Sequence, residues 1–127
     1  MKKKSVKLQL HRGSVINFIY TKDSDEITSI ADGLKAVIPG SKAEGQDALF
    51  IKAGSSFYVL FHQGTSDGEI AQEVTHFLNS FCSAINQRLD PDNDELYCYI
   101  LTYFIDECLM FKRKCEKELS LTGKQPL

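Results

Sequence analysis

The order in which two hydrophobic periods follow each other along the 127 residues constrains the fold more than any single motif does. In four short stretches apolar residues alternate with polar ones or run almost unbroken, and in three longer stretches they recur every three or four positions. The first pattern places side chains on the faces of a strand, and the second lines one side of a helix. The resulting order of strand, strand, helix, strand, strand, helix, helix fills nearly the whole chain. It predicts an α/β (α+β) domain in which an antiparallel sheet of four to five strands precedes two long C-terminal helices. Domains cluster at roughly 100–150 residues, so one core suffices. The expected domain spans residues 1–119, with a polar tail over 120–127.

Local signals set the elements. Val6, Leu8 and Leu10 alternate with Lys7, Gln9 and His11, a half-buried strand, and the lysines before them read as a solvated start. His11 to Ser14 makes the turn. Val15 to Tyr20 (VINFIY) is apolar almost throughout, as a strand covered on both faces or pressed by a partner must be, and the two strands form a hairpin. Asp23 with Glu26 supplies helix-start chemistry, and Ile27, Ile30, Ala31, Leu34, Val37 and Ile38 give one apolar stripe that Pro39-Gly40 ends. Ser41 to Asp47 reads as a loop. Ala48 to Lys52 and Phe57 to His62 flank a turn at Gly54, and the second of these has the apolar density of a central strand. Ser66-Asp67-Gly68-Glu69 is a capping box ahead of a stripe of Ile70, Val74, Phe77, Leu78, Phe81 and Ile85. After Asp90-Pro91, Asp92 and Glu95 open a last helix whose face is Leu96, Ile100, Leu101, Phe104, Ile105, Cys108 and Leu109.

Composition narrows the function classes. Hydrophobic residues at 43% and charged ones at 25% suit an ordinary globular domain, and a net charge of −2 supplies no broad positive field, so nucleic acid is not the expected partner. The expected location is the cytoplasm: no apolar run is long enough to cross a bilayer, and the N-terminus lacks the continuous apolar segment of a signal peptide.

Reactive residues are sparse and scattered. Cys82, Cys98, Cys108 and Cys115 lack the close pairs of a structural zinc site and read as free thiols; Cys82 and Cys98 fit a buried helix face, and Cys108 and Cys115, seven apart, are candidate surface neighbours. A Cys-His nucleophile would need His62 to converge with Cys82 or Cys98, since His76 and Cys82 point to opposite sides of one helix. The acidic groups at 23–26 and 90–95 are explained by helix N-termini, and the second lacks the glycine and distal glutamate of a calcium loop. No phosphate-binding glycine loop is present. No catalytic residue, metal or cofactor is therefore expected.

The last helix carries more apolar surface than one packed face needs. Tyr97, Tyr99, Tyr103, Met110 and Phe111 flank its stripe beside Lys112-Arg113-Lys114, a composition enriched at interaction hot spots.

From Ala48 to Leu109 the chain resembles the longin domain of membrane-trafficking proteins, a family that includes coat-adaptor small chains and subunits of GTPase exchange factors. The resemblance rests on the strand pair ALFIKAGSSFYVLFHQ, on the helix EIAQEVTHFLNSFCSAI with Phe77, Leu78, Phe81 and Ile85, and on DELYCYILTYFIDECL with Asp106 and Glu107. Longin sheets have five strands, and Ser41 to Asp47 is where the fifth would lie; a relative such as the roadblock family is the other match. The resemblance implies a layered platform without catalytic residues that binds a small GTPase, a coat subunit or another longin-like chain, as a homo- or heterodimer. An unpaired sheet edge recruits strands, so Ile16, Phe18 and Tyr20 are the expected contacts, with Tyr99, Tyr103 and Lys112 as a second face. A small acidic bacterial binder, either a secretion chaperone or a toxin-immunity protein, has the same size and charge and is the alternative.

Overall fold

VINFIY and FYVLF each carry apolar residues on both faces and so need cover on two sides. In the computed structural model, which describes residues 2–8, 14–34, 47–84 and 94–121, they sit side by side at the centre of one sheet. The elements are β1 (Lys2–Lys7), β2 (Val15–Thr21), α1 (Ser24–Gly33), β3 (Ala48–Ala53), β4 (Ser56–His62), α2 (Asp67–Ala84) and α3 (Asp94–Leu121). The strand order is β1-β2-β4-β3. The expected α+β class and the ββαββαα order both hold.

The sheet is mixed, where the sequence predicts an antiparallel one. The hairpins β1–β2 and β3–β4 are antiparallel, but β2 and β4 run parallel, from Val15 opposite Ser56 to Thr21 opposite His62. The reason lies in the connection. The chain leaves the end of β2, traverses α1 and enters β3 near the end of β4, so β4 then runs in the same direction as β2. Asp47, at the start of β3, marks this end by meeting His62 at 2.9 Å. Asn17 and Thr21 of β2 also reach β4 through their side chains, donating to the Phe57 and Phe61 carbonyls at 3.2 and 3.1 Å.

Alternation along the central strands divides the core into two layers. On one face, Ile16, Phe18, Tyr20, Phe57, Val59 and Phe61 pack against α2 and α3; on the other, Ile19, Leu49, Ile51 and Leu60 pack against Ile27 and Ala31 of α1. The result is α1, sheet, then α2 with α3. The first layer is rich in aromatic rings. Phe77 of α2 has ring centroids 5.1 Å from Phe104, 5.3 Å from Phe57, 6.1 Å from Phe81 and 6.4 Å from Phe50, so it ties α2 to both β-hairpin strands and to α3.

The helix starts follow the sequence. Asp23 accepts from the Glu26 N–H at 2.9 Å while Glu26 accepts from the Lys22 N–H, and Ser66 and Glu69 cap each other reciprocally at 3.0 and 3.1 Å. Gly54 takes a φ of 62° in the two-residue turn between β3 and β4, a conformation that favours glycine. The expected turn at 11–13, the end of the first stripe at Val37 to Gly40, a fifth strand at 41–46, Ile85 and the Asp92 cap lie outside the described residues.

The lysine-rich start is a strand rather than a solvated end. Lys2, Lys4 and Val6 face α3, where Lys2 pairs with Glu118 and the Lys4 ammonium lies 2.6 Å from Glu107; Lys3, Ser5 and Lys7 face out. Glu107 and Glu118 are eleven residues apart, close to three full turns, and so lie on one side of the helix.

Truncating the ring at the hub of this layer removes contacts to four other rings. Phe77→Ala is expected to lose about 3–5 kcal/mol of unfolding free energy, measured by urea denaturation of the purified protein. A loss below about 1 kcal/mol would mean that the ring is not in the core.

Candidate functional site

The candidate contacts separate sharply once the fold is assembled. Ile16 and Phe18 are fully buried and Tyr20 is 5% exposed, and β2 has a neighbour on each side. The expectation that this strand is an unpaired docking edge is therefore corrected: its apolar character answers to α2 and α3 on one face and to α1 on the other. The true edges are β1 and β3, and both carry groups that resist an incoming strand. Lysines line β1, and the outward Phe50 N–H of β3 donates to the Glu73 carboxylate of α2 at 2.8 Å. Charged edge residues and satisfied edge N–H groups both discourage strand addition.

Tyr20 is the odd member of the core. Its ring packs edge-on to Phe61 with centroids 5.9 Å apart, but its buried hydroxyl has no hydrogen-bond partner among the described residues. Burial, reinforced by Glu116, pushes its pKa up to about 12 from an ordinary 10.0. A folded-state pKa above the unfolded value gives stability that is whole below about 10 and is lost as pH rises towards 12. Tyr20→Phe is expected to be neutral or stabilising at pH 7, because it removes an unsatisfied polar atom. It should also lessen the fall in denaturation midpoint between pH 10 and 12. A large loss at pH 7 would show that the hydroxyl is bonded.

The other half of the expected site lies on α3. Among its large apolar residues Leu96, Tyr99, Tyr103 and Met110 are 62, 71, 52 and 61% exposed, and their spacings of three, four and seven put them in one stripe along the outer face. The sequence pattern predicts Leu96 in the core, and the structure places it outside. The stripe that enters the core is Phe104, Cys108, Phe111 and Cys115, so Phe111 moves from flank to core. The two seams run down different sides of one helix. Tyr97, half-buried in line with the core seam, donates to Asn79 of α2 at 2.7 Å and fixes the start of α3. Lys112 does not join the outer stripe: its side chain is only 12% exposed, and its ammonium lies 3.3 Å from Glu116 one turn on. Arg113 and Lys114 carry the accessible positive charge there, Arg113 loosely paired with Asp67 at 3.5 Å.

The residues that a Cys-His nucleophile needs are held apart. His62 ends β4, where its Nε2 meets Asp47 and its Nδ1 accepts from the Gly64 N–H, while Thr65 accepts from the His62 N–H and donates to the Asp47 carbonyl at 2.5 Å. This network clips the β4–α2 connection to β3. Cys82 follows Phe81, which packs on Phe57 at the far end of β4, roughly 17 Å away by strand rise. Cys98 is next to Tyr97, which bonds Asn79 towards that same far end. No group of three or more His, Cys, Asp or Glu side chains suited to a metal occurs among the described residues. No described helix is long and apolar enough to cross a membrane.

All four thiols are free, but their surroundings differ from expectation. Cys98 is exposed rather than buried, and Cys108 and Cys115 are core residues rather than surface neighbours. Burial raises the Cys108, Cys115 and Cys82 thiols above their ordinary value, which suppresses the reactive thiolate. A thiol reagent under native conditions should therefore label Cys98 first and Cys82 more slowly, with Cys108 and Cys115 reacting only on unfolding. Early labelling of Cys108 would contradict the packing of α3.

Compared with protein-family models, curated proteins and solved structures, the chain matches none.

Proposed function

We propose that this protein is a non-catalytic interaction module of the longin or roadblock kind, working in the cytoplasm in small-GTPase regulation or membrane trafficking. The observation that supports the reading is the outer face of α3. Four large apolar side chains stand in line on a rigid helix whose opposite side is anchored in the core. Exposed apolar residues scattered singly are ordinary, whereas four aligned on one helix face among charged residues have the composition of a contact surface. The order of elements and the platform of sheet and paired helices agree with what the resemblance implies. The partner would be a small GTPase, a coat subunit or another longin-like chain, and its contacts would centre on Tyr99 and Tyr103.

The test is a crosslinked capture from lysate of the source cell, comparing the wild-type protein with Tyr99→Ala/Tyr103→Ala. The expected outcome is enrichment of a small GTPase, coat subunit or longin-like chain that falls at least tenfold with the double variant, as loss of two hot-spot tyrosines implies. Capture dominated by one secreted effector or toxin would replace this reading with that of a bacterial chaperone or immunity protein.

A further inference from the structure

The pattern on the outer face of α3 is self-complementary under reversal. We infer that two copies of this chain associate through α3 in antiparallel orientation, about a two-fold axis at Tyr103. This deepens the interaction-module reading and shares its surface, but it names a second copy as occupant.

The argument is one of spacing and sign. In an antiparallel helix pair centred on residue 103, a residue a given number of positions before the centre meets the residue the same number after it in the other copy. Leu96 and Met110 stand seven before and seven after Tyr103, so each end of the stripe finds an apolar partner and the two Tyr103 rings meet on the axis. Residues along one flank come close to a match. Tyr99 comes opposite Asp106, a phenol facing a carboxylate, and Glu95 comes opposite Arg113, each within about two residues of register on a helix rising about 1.5 Å per residue. At the ends, Glu95 in the first turn of the helix lies over the accessible charges of Arg113 and Lys114. The parallel alternative puts the two acidic helix starts at Glu95 at one end and the two basic stretches at Arg113-Lys114 at the other, like charges together, which disfavours it.

The four apolar residues are already exposed on a helix fixed by Phe104, Cys108 and Phe111 beneath, so pairing demands no rearrangement of the core. The stripe covers about 21 Å of helix from Leu96 to Met110. A contact of that extent falls at the small end of specific interfaces, where association is weak and reversible. Arg113 is free to exchange partners at little cost, because its pair with Asp67 is exposed on both sides.

Sedimentation equilibrium of the purified protein over about 1–300 μM, a range suited to weak, reversible association, tests the inference. The expected result is a monomer–dimer equilibrium that Glu95→Arg and Arg113→Glu each weaken several-fold and that the double variant restores, since two-fold symmetry makes each substitution act twice. Circular dichroism establishes that each variant is folded. A second readout does not depend on charge: with Cys98→Ser in the background, Tyr103→Cys should oxidise to a covalent dimer, whereas Ser29→Cys on exposed α1 should not. A monomer at every concentration, or charge reversals that do not rescue each other, overturns the antiparallel dimer. Neither result bears on the broader reading, which the capture by wild type against Tyr99→Ala/Tyr103→Ala decides separately.

Discussion

The parallel contact between β2 and β4 is the constraint on which the rest of this structure depends. Two strands that are apolar on both faces cannot sit at an edge or beneath a single layer, because one face of each would be left in water. Placed together, they demand helices above and below. The shorter helix, α1, covers the smaller apolar face with Ile27 and Ala31, and the two long helices cover the aromatic face. The outer strands then have lighter duties: β3 closes one side with Phe50 turned towards Phe57 and Phe77, and β1 closes the other with lysines.

That arrangement also decides where the protein can meet anything else. The central strands lie under helices on both faces, and both edges carry groups that resist an incoming strand, lysines on one and a glutamate-bonded amide on the other. Among the described residues, the exposed large apolar side chains lie on α3, a helix of 28 residues. Such a helix spans about 42 Å, longer than the strands it covers. It has two apolar seams: one is used by the core, and the other, Leu96 to Met110, faces outwards. The surface of interest is therefore a consequence of helix length and of a second periodic row, with no catalytic geometry attached to it.

Much of this was legible in the sequence, for identifiable reasons. Capping pairs such as Asp23/Glu26 and Ser66/Glu69 are local and need no tertiary knowledge, and the stripes of α1 and α2 have one dominant period each. The outward tyrosines Tyr99 and Tyr103 were visible as a surplus over one packed face. Three features were not legible, and each depends on something distant. The direction of β4 is set by the path from α1 into β3, which carries no periodic signal. The lysine strand is recognisable only from its partners Glu107 and Glu118, more than one hundred residues away. On α3, two interleaved seams share one helical period, so the pattern alone does not say whether Leu96 or Phe111 points inwards. The composition of VINFIY suits a doubly covered strand and a partner edge alike, and burial of Ile16 and Phe18 chooses the first.

Because the account turns on β2 being an interior strand, amide hydrogen exchange followed residue by residue by NMR tests it most directly. Ile16 to Tyr20 and Phe57 to Phe61 should be the slowest amides in the sheet, exchanging only with global unfolding, and the outward amides of β1 should exchange far sooner. Exchange in β2 as fast as in β1 would contradict the account: it would return β2 to the edge of the sheet and restore Ile16, Phe18 and Tyr20 as candidates for a partner's binding strand.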